Sequence, residues 1–218
     1  MTSPRSVRAT GLGIFVGLLL IACVAHPPVD PDHIGIVTGS AGVPSVIRNG
    51  KTYMLARESR IYPGDIIETD HSSGVKVSMI DDTVISVGHD TRFIFHQYKY
   101  SPGGFFPRAM LTFTSGAFRA KTGAITDKWF GTFEISTPLA MINPHTADFW
   151  AILESDENTL EVAMIDGKKV TVANTHGNAK LKHRGFGTRV TAGSAPRRPK
   201  LWSDRELDAG LNETALPE

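Results

Sequence analysis

From Ile34 to about Gly193 apolar and polar residues alternate with a period of two, in short runs rich in Val, Ile, Thr and aromatic residues that Gly, Pro, Asn and Asp interrupt. Such alternation turns one face of an extended chain toward a core and the other toward water, and no convincing amphipathic helix competes with it here. An all-β fold is therefore expected. The chain has 218 residues, 41% hydrophobic and 21% charged, which is enough for one large packed domain and unlike a disordered composition. Its single cysteine, Cys23, allows no intramolecular disulfide, so the core must hold the fold unaided.

Turn chemistry divides the alternating region. Ser45-Val46-Ile47-Arg48 and Lys51-Thr52-Tyr53-Met54 flank Asn49-Gly50, two residues that readily take positive φ and so form a tight hairpin turn. In Tyr62-Pro63-Gly64-Asp65, Pro63 presets φ and Gly64 suits the left-handed position. Two longer stretches resemble each other, KVSMIDDTVISV at 76–87 and EVAMIDGKKVTV at 161–172. Each predicts a strand, a turn at Asp81-Asp82 or Asp166-Gly167, and a returning strand. Either half-buried hairpins converge on one pattern, or the chain repeats a structural unit, as solenoids do.

At the N-terminus Arg5 and Arg8 precede an uncharged, largely apolar run from Ala9 to Ala25, with no acid before Asp30. This is the layout of a secretory signal peptide, and the apolar core from Gly11 to Ala22 is short for a span, which needs about 20 residues. Leu20-Ile21-Ala22-Cys23 resembles the lipobox of bacterial lipoproteins. That resemblance implies cleavage before Cys23 and a lipid on its sulfur, with Val24 favouring the outer membrane. An uncleaved anchor, ordinary cleavage after Cys23-Val24-Ala25, which would leave a soluble periplasmic or secreted protein, and a buried structural cysteine are the alternatives. The expected boundaries are a signal peptide at 1–22, a linker at 23–33, the β domain at 34–193 and a Pro-rich, charged tail at 194–218. In that tail Ser203 and Glu206 form a capping box and Trp202 with Leu207 a hydrophobic staple, which predicts a short helix near 204–211 that packs on the sheet edge or frays.

The segment Ile61-Tyr62-Pro63-Gly64-Asp65-Ile66-Ile67-Glu68-Thr69 resembles the opening of the FecR domain of bacterial iron-transport regulators. Gly116-Ala117-Phe118-Arg119 with Thr122-Gly123, then Phe133 to Ala140, then Val162 to Asn174 follow the same family's order. The resemblance covers roughly residues 35–193 and implies an all-β structure like a short, twisted right-handed β-helix built from stacked hairpins; a β-sandwich is the alternative. The chain departs from the family at Asn143-Pro144-His145-Thr146-Ala147-Asp148-Phe149, where Pro144 removes a ladder donor and predicts an edge or a bulge. FecR-type regulators place a cytoplasmic anti-sigma domain before a membrane span; with about ten residues ahead of the apolar run, no direct sigma-factor-binding domain is expected here.

The eight histidines, at 26, 33, 71, 89, 96, 145, 176 and 183, show no metal-ligand spacing such as HExxH. Asp70-His71-Ser72 reads as a polar turn, and His89-Asp90 and His145 with Asp148 read as solvated loops. No catalytic residue, cofactor or metal is expected. The formal net charge of +1, or −1 once residues 1–22 are removed (21 basic against 22 acidic), excludes the strongly basic balance of nucleic-acid binding. The candidate interaction surfaces are Phe105 and Phe106 in a loop, and the basic run of Lys180, Lys182 and Arg184. The function expected is a non-enzymatic, lipid-anchored module on the periplasmic side of the bacterial envelope. It would bind a protein or an envelope polymer and serve as a signalling or scaffold accessory. The alternative is an enzyme acting on envelope carbohydrate, which would need two carboxylates facing a cleft.

Overall fold

The computed structural model describes residues 32–154 and 158–216; the expected leader, Cys23 and most of the linker lie outside the described residues. The described strands are β1 (Gly35–Ala41), β2 (Ser45–Arg48), β3 (Lys51–Met54), β4 (Arg60–Ile61), β5 (Ile66–Glu68), β6 (Gly74–Met79), β7 (Val84–Val87), β8 (Arg92–Lys99), β9 (Arg108–Lys121), β10 (Thr132–Ser136), β11 (Met141–Glu154), β12 (Thr159–Asn174), β13 (Gly177–Leu181), β14 (Phe186–Thr191) and β15 (Lys200–Leu201). A 3-10 turn at Ala124–Asp127 joins β9 to β10, and one α-helix among the described residues, α1 (Asp204–Glu213), follows β15. The fold is all-β.

All fifteen strands belong to one sheet, which the ladders divide into two leaves. The first leaf runs β4-β1-β6-β7, then the C-terminal halves of β9 and β11, the N-terminal half of β12, β14 and β15. The second runs β3-β2-β5-β8, the N-terminal half of β9, β10, the N-terminal half of β11, the C-terminal half of β12 and β13. Three long strands thus pass from one leaf to the other, changing partners midway. The alternating side chains of both leaves meet in one apolar core.

β9 shows how a strand makes that passage. Its partners change at Gly116, where φ is +87° and an added Cβ would stand 2.2 Å from Thr91 Oγ1. The bend brings Phe113 and Phe118 to 4.7 Å between ring centroids, with Phe93 of β8 at 5.1 Å from Phe118 and Phe149 of β11 at 5.9 Å. All four rings are fully buried. Edge-to-face packing of this kind adds roughly 0.5–1.5 kcal/mol per pair beyond area burial.

The local turns follow their residues. Asn49 (φ 51°) and Gly50 (φ 74°) make the two-residue turn between β2 and β3, with Arg48 opposite Lys51. Gly64 (φ 88°) occupies the third position of the turn at Tyr62–Asp65, closed by Asp65 N donating to Tyr62 O at 3.1 Å. Asp82 (φ 67°) holds the left-handed position in the turn between β6 and β7. Because Asp82 is exposed and glycine takes this φ without a Cβ penalty, Asp82→Gly is expected to raise stability by about 0.5–1 kcal/mol. A rise in the urea midpoint with unchanged slope is the measurement.

Asp166-Gly167 corrects the hairpin expected there. β12 runs straight through it for 16 residues, and the resemblance to 76–87 does not reflect a repeated hairpin. The reason is a partner: β11 is long enough to pair along its whole length, so continuing the strand satisfies more backbone groups than turning. The pattern survives as a bulge. Asp148 pairs with Asp166 while Phe149 pairs with Met164, leaving Ile165 as the extra residue. Gly167 (φ 113°) passes so close to β11 that a Cβ would lie 2.2 Å from Thr146 O. Pro144 lies nearby in 143–147, a stretch where β11 has a ladder partner on one side only, between its pairings to β10 and to β9.

The tail adds the short edge strand β15, and the helix after it neither frays nor packs on that edge. β15 pairs with β14, and Thr188 Oγ1 donates to Arg197 O at 2.7 Å. The Ser203–Glu206 capping box forms, and Leu207 packs beside Trp202 as its staple partner. The segment from Trp202 to Leu216 then crosses the outer face of the first leaf as a strap. It passes over glycine or meets one of its own at each crossing. A Cβ on Gly187 would meet Trp202 at 2.3 Å, one on Gly210 would meet Trp150 at 2.2 Å, one on Gly88 would meet Glu213 O at 2.0 Å, and one on Gly39 would meet Leu216 at 2.8 Å. Trp150 and Trp202 stack at 5.3 Å under the strap, forming with Ala163 a second, smaller core.

Candidate functional site

One pair of strands in the sheet is parallel, β9 with β10, with Arg108 opposite Thr132. Parallel strands start at the same end. The loops leading into them, Ser101–Pro107 and Lys128–Gly131, are therefore set side by side, and Thr132 N donates to Pro107 O at 3.0 Å to fix the register. Phe106 and Phe130, each two residues before its strand, meet at 5.5 Å. With Phe105 and Trp129 they form a protruding aromatic tip: Phe105 is 79% exposed, Phe106 75%, Trp129 91% and Phe130 58%. Four large exposed aromatics on two adjacent loops, two of them in ring contact, are unusual on a protein surface and make this the candidate docking site. Lys99, Arg108 and Lys128, all exposed, stand on the same strand ends and loops.

Phe105 and Phe106 were legible as a candidate surface; Trp129 and Phe130 were not. Their partnership depends on the parallel register, which no local pattern encodes. Phe106 also rises between two grooves. One, of about 400 Å³, is lined by Asp32, His33, Tyr98, Tyr100 and Pro107. The other, of about 510 Å³, is lined by Lys99, Arg108, Trp129 and Gly131.

Beneath the tip a buried carboxylate ties three elements together. Asp81 is fully buried, and its oxygens accept from Tyr98 Oη at 2.6 Å, Thr83 N at 3.1 Å, Thr83 Oγ1 at 2.9 Å and Ile125 N at 3.1 Å. Its turn position was expected; its role as a hub between the β6–β7 turn, β8 and the 3-10 turn was not. Burial, and then the neighbouring Asp81 carboxylate, push the Tyr98 hydroxyl well above its ordinary pKa, so it stays a donor. A second buried carboxylate, Asp65, receives Arg48 Nε and Nη2 at 2.7 Å each and Tyr62 N at 2.8 Å, while the guanidinium lies 4.2 Å from the Tyr62 ring. This pair fastens β2 to the turn after β4.

Lys180, Lys182 and Arg184 are exposed, with Lys180 on β13, a strand whose one ladder partner is β12. Lysines on an open edge discourage pairing with other chains, which accounts for them without a ligand.

The histidines also regroup. His71, in the turn before β6, and His89-Asp90, in the turn after β7, come together although 18 residues separate them. His71 Nδ1 lies 3.0 Å and His89 Nδ1 3.3 Å from Asp90 Oδ2. On its other side His89 Nε2 meets Glu213, the last residue of α1. The two turns are joined by Asp90 N donating to Asp70 O at 3.1 Å and Thr91 N to Thr69 Oγ1 at 2.9 Å. Hydrogen bonds from His71, and then His89, hold the Asp90 carboxyl below the ordinary carboxylate range, and the Ser73 hydroxyl with Ser72 does the same for Asp70. His145 and Asp148 do not pair; Asp148 accepts two hydrogen bonds from Arg119 at 2.8 Å.

The family model described as FecR protein matches residues 65–170, from the buried Asp65 to Val170 of β12. No curated protein matches the chain. Among solved structures, two crystal structures of a candidate anti-sigma factor from Parabacteroides distasonis ATCC 8503, at 1.65 and 2.50 Å, share its fold. The first is 16% identical and the second 15%, each with a TM-score of 0.52 and covering 67% of this chain. The chain spans 64% and 63% of the length of those two structures. The two-leaved β body thus contains, at residues 65–170, a segment that matches the FecR family model.

Proposed function

We propose that the protein is a non-enzymatic accessory of bacterial envelope signalling, held at a membrane by a lipid on Cys23, and that it engages an envelope protein through the aromatic tip. The observation that carries the reading is the tip itself: four exposed aromatic side chains gathered from two adjacent loops of the sheet, of types enriched at protein interfaces. The FecR domain and the fold shared with candidate anti-sigma factors support a regulatory role.

The carbohydrate-enzyme alternative needs a carboxyl whose pKa is raised so that it can act as an acid. In the groove of about 550 Å³ where acids do gather, Asp70 and Asp90 are shifted the opposite way and Glu68 is paired with Arg92. A lipid surface as the occupant of the tip has one observation in its favour, the cations Lys99, Arg108 and Lys128 beside the aromatics.

The test is a photo-crosslinking amino acid in place of Phe105 in cells. A discrete protein adduct is expected, lost on Phe130→Ser and absent when the crosslinker replaces Lys180. Adducts to lipid alone would transfer the tip to the bilayer. No adduct at Phe105, with capture from another face, would overturn the reading.

A further inference from the structure

We propose that His71, His89 and Asp90 bind a divalent transition-metal ion of the zinc type, with Glu213 orienting His89 from behind. Two turns supply the donors, and both are fixed to each other by backbone hydrogen bonds rather than left to move separately. Ligand atoms on a tetrahedral ion with bonds of about 2.0–2.1 Å stand roughly 3.3 Å apart. His71 Nδ1 and His89 Nδ1 lie 3.0 and 3.3 Å from Asp90 Oδ2, and all three donor atoms lie within 4.8 Å of one another. His71 is the most exposed of the three, so a turn of its ring is enough to close the third edge.

The surroundings of His89 suit a cation. Its Nδ1 faces Asp90 and its Nε2 faces Glu213, so both ring nitrogens meet carboxylates. A neutral imidazole carries one N–H and can satisfy one of them. The other needs a proton on the ring or a metal between the ring and the carboxylate. With Nε2–H donated to Glu213, Nδ1 presents its lone pair toward Asp90 and His71, and this is the carboxylate–histidine–metal arrangement in which an outer carboxylate fixes the tautomer of a ligand. Glu213 reaches His89 because Gly88 has no side chain: the carbonyl of Glu213 sits where a Cβ would be. The last turn of α1 also directs its partial negative charge toward this point, which favours a cation there. Three protein donors leave a fourth position for water or a further ligand, on the side of the groove that Asp90 lines. A bound ion would fasten the strap to two of the connections between the leaves, β5–β6 and β7–β8.

The experiment uses the full chain in detergent, carrying Cys23→Ser so that no thiol competes, stripped with chelator and titrated with Co²⁺. Saturation at one ion per chain is expected, with visible ligand-field bands that Zn²⁺ bleaches. His71→Ala, at an exposed position, should abolish the bands without unfolding the protein, and Glu213→Gln should weaken binding about 10–100-fold. His145→Ala should bind as the parent does. Absence of saturable Co²⁺ binding in the parent, or unchanged binding in His71→Ala, overturns the site. Unchanged affinity in Glu213→Gln overturns the orienting role.

Discussion

Replacing Asp81 with alanine is expected to destabilise the protein by about 3–5 kcal/mol, because it leaves buried donors from three separate elements without an acceptor. Tyr98 Oη, Thr83 N, Thr83 Oγ1 and Ile125 N all converge on this carboxylate. Each orphaned group costs about 1–3 kcal/mol, and some will find water in the space the side chain leaves. Asp81→Asn should recover part of the loss, since the amide has one acceptor oxygen and turns an NH₂ toward donors. Tyr98→Phe removes one donor and should cost about 1 kcal/mol. Urea midpoints for the three variants give the order Asp81→Ala, Asp81→Asn, Tyr98→Phe from least to most stable. Equal midpoints for Asp81→Ala and the parent would show that the hub does not bind the 3-10 turn to the sheet.

Trp202→Ala is expected to cost a similar amount, about 3–5 kcal/mol, through the cavity it opens under the strap. Trp202 stacks on Trp150, covers Gly187 and has the Arg189 guanidinium 5.0 Å from its ring. Arg189 in turn pairs with Glu161 of β12 and reaches Glu206 of α1 at 3.4 Å. The two indole N–H groups, Trp150 Nε1 and Trp202 Nε1, are buried without a hydrogen-bond partner, so packing and not polarity holds this seat. Trp202→Phe should therefore cost far less than Trp202→Ala, because it keeps most of the ring contact and removes an unsatisfied donor. In Trp202→Ala made on a Trp129→Phe background, which leaves Trp150 as the one tryptophan, the emission should shift to the red as water reaches it. A blue-shifted Trp150 and an unchanged midpoint would mean that the strap contributes nothing to the fold.

What could be read from the sequence was what is local. Asn49-Gly50 and Tyr62–Asp65 turn as their residues dictate, since the conformation needed is a property of two adjacent residues. The capping box at Ser203 is local in the same sense. Asp166-Gly167 carries the same signal as a hairpin, yet β11 offers a full-length partner and converts the signal into a bulge. The helix was foreseeable but its seat was not, because Gly88, Gly187 and Gly210 disclose a close approach only when the surface opposite them is known. The tip and the histidine cluster are further out of reach. Phe106 and Phe130 are 24 positions apart in sequence, and His89 and Glu213 are 124 apart; each pair is created by a sheet register or a strap crossing.

The parallel register of β9 and β10 has a kinetic meaning. Parallel pairing closes a loop through the crossover at Ala124–Asp127 before it gains any contact, which places it among the slower steps of a β fold. Until Arg108 and Thr132 align, Phe105-Phe106 and Trp129-Phe130 belong to two unrelated loops, and the composite surface does not exist. A partner that needs all four rings would therefore report on completed folding as well as on presence: it would pass over an unfinished chain and accept a finished one.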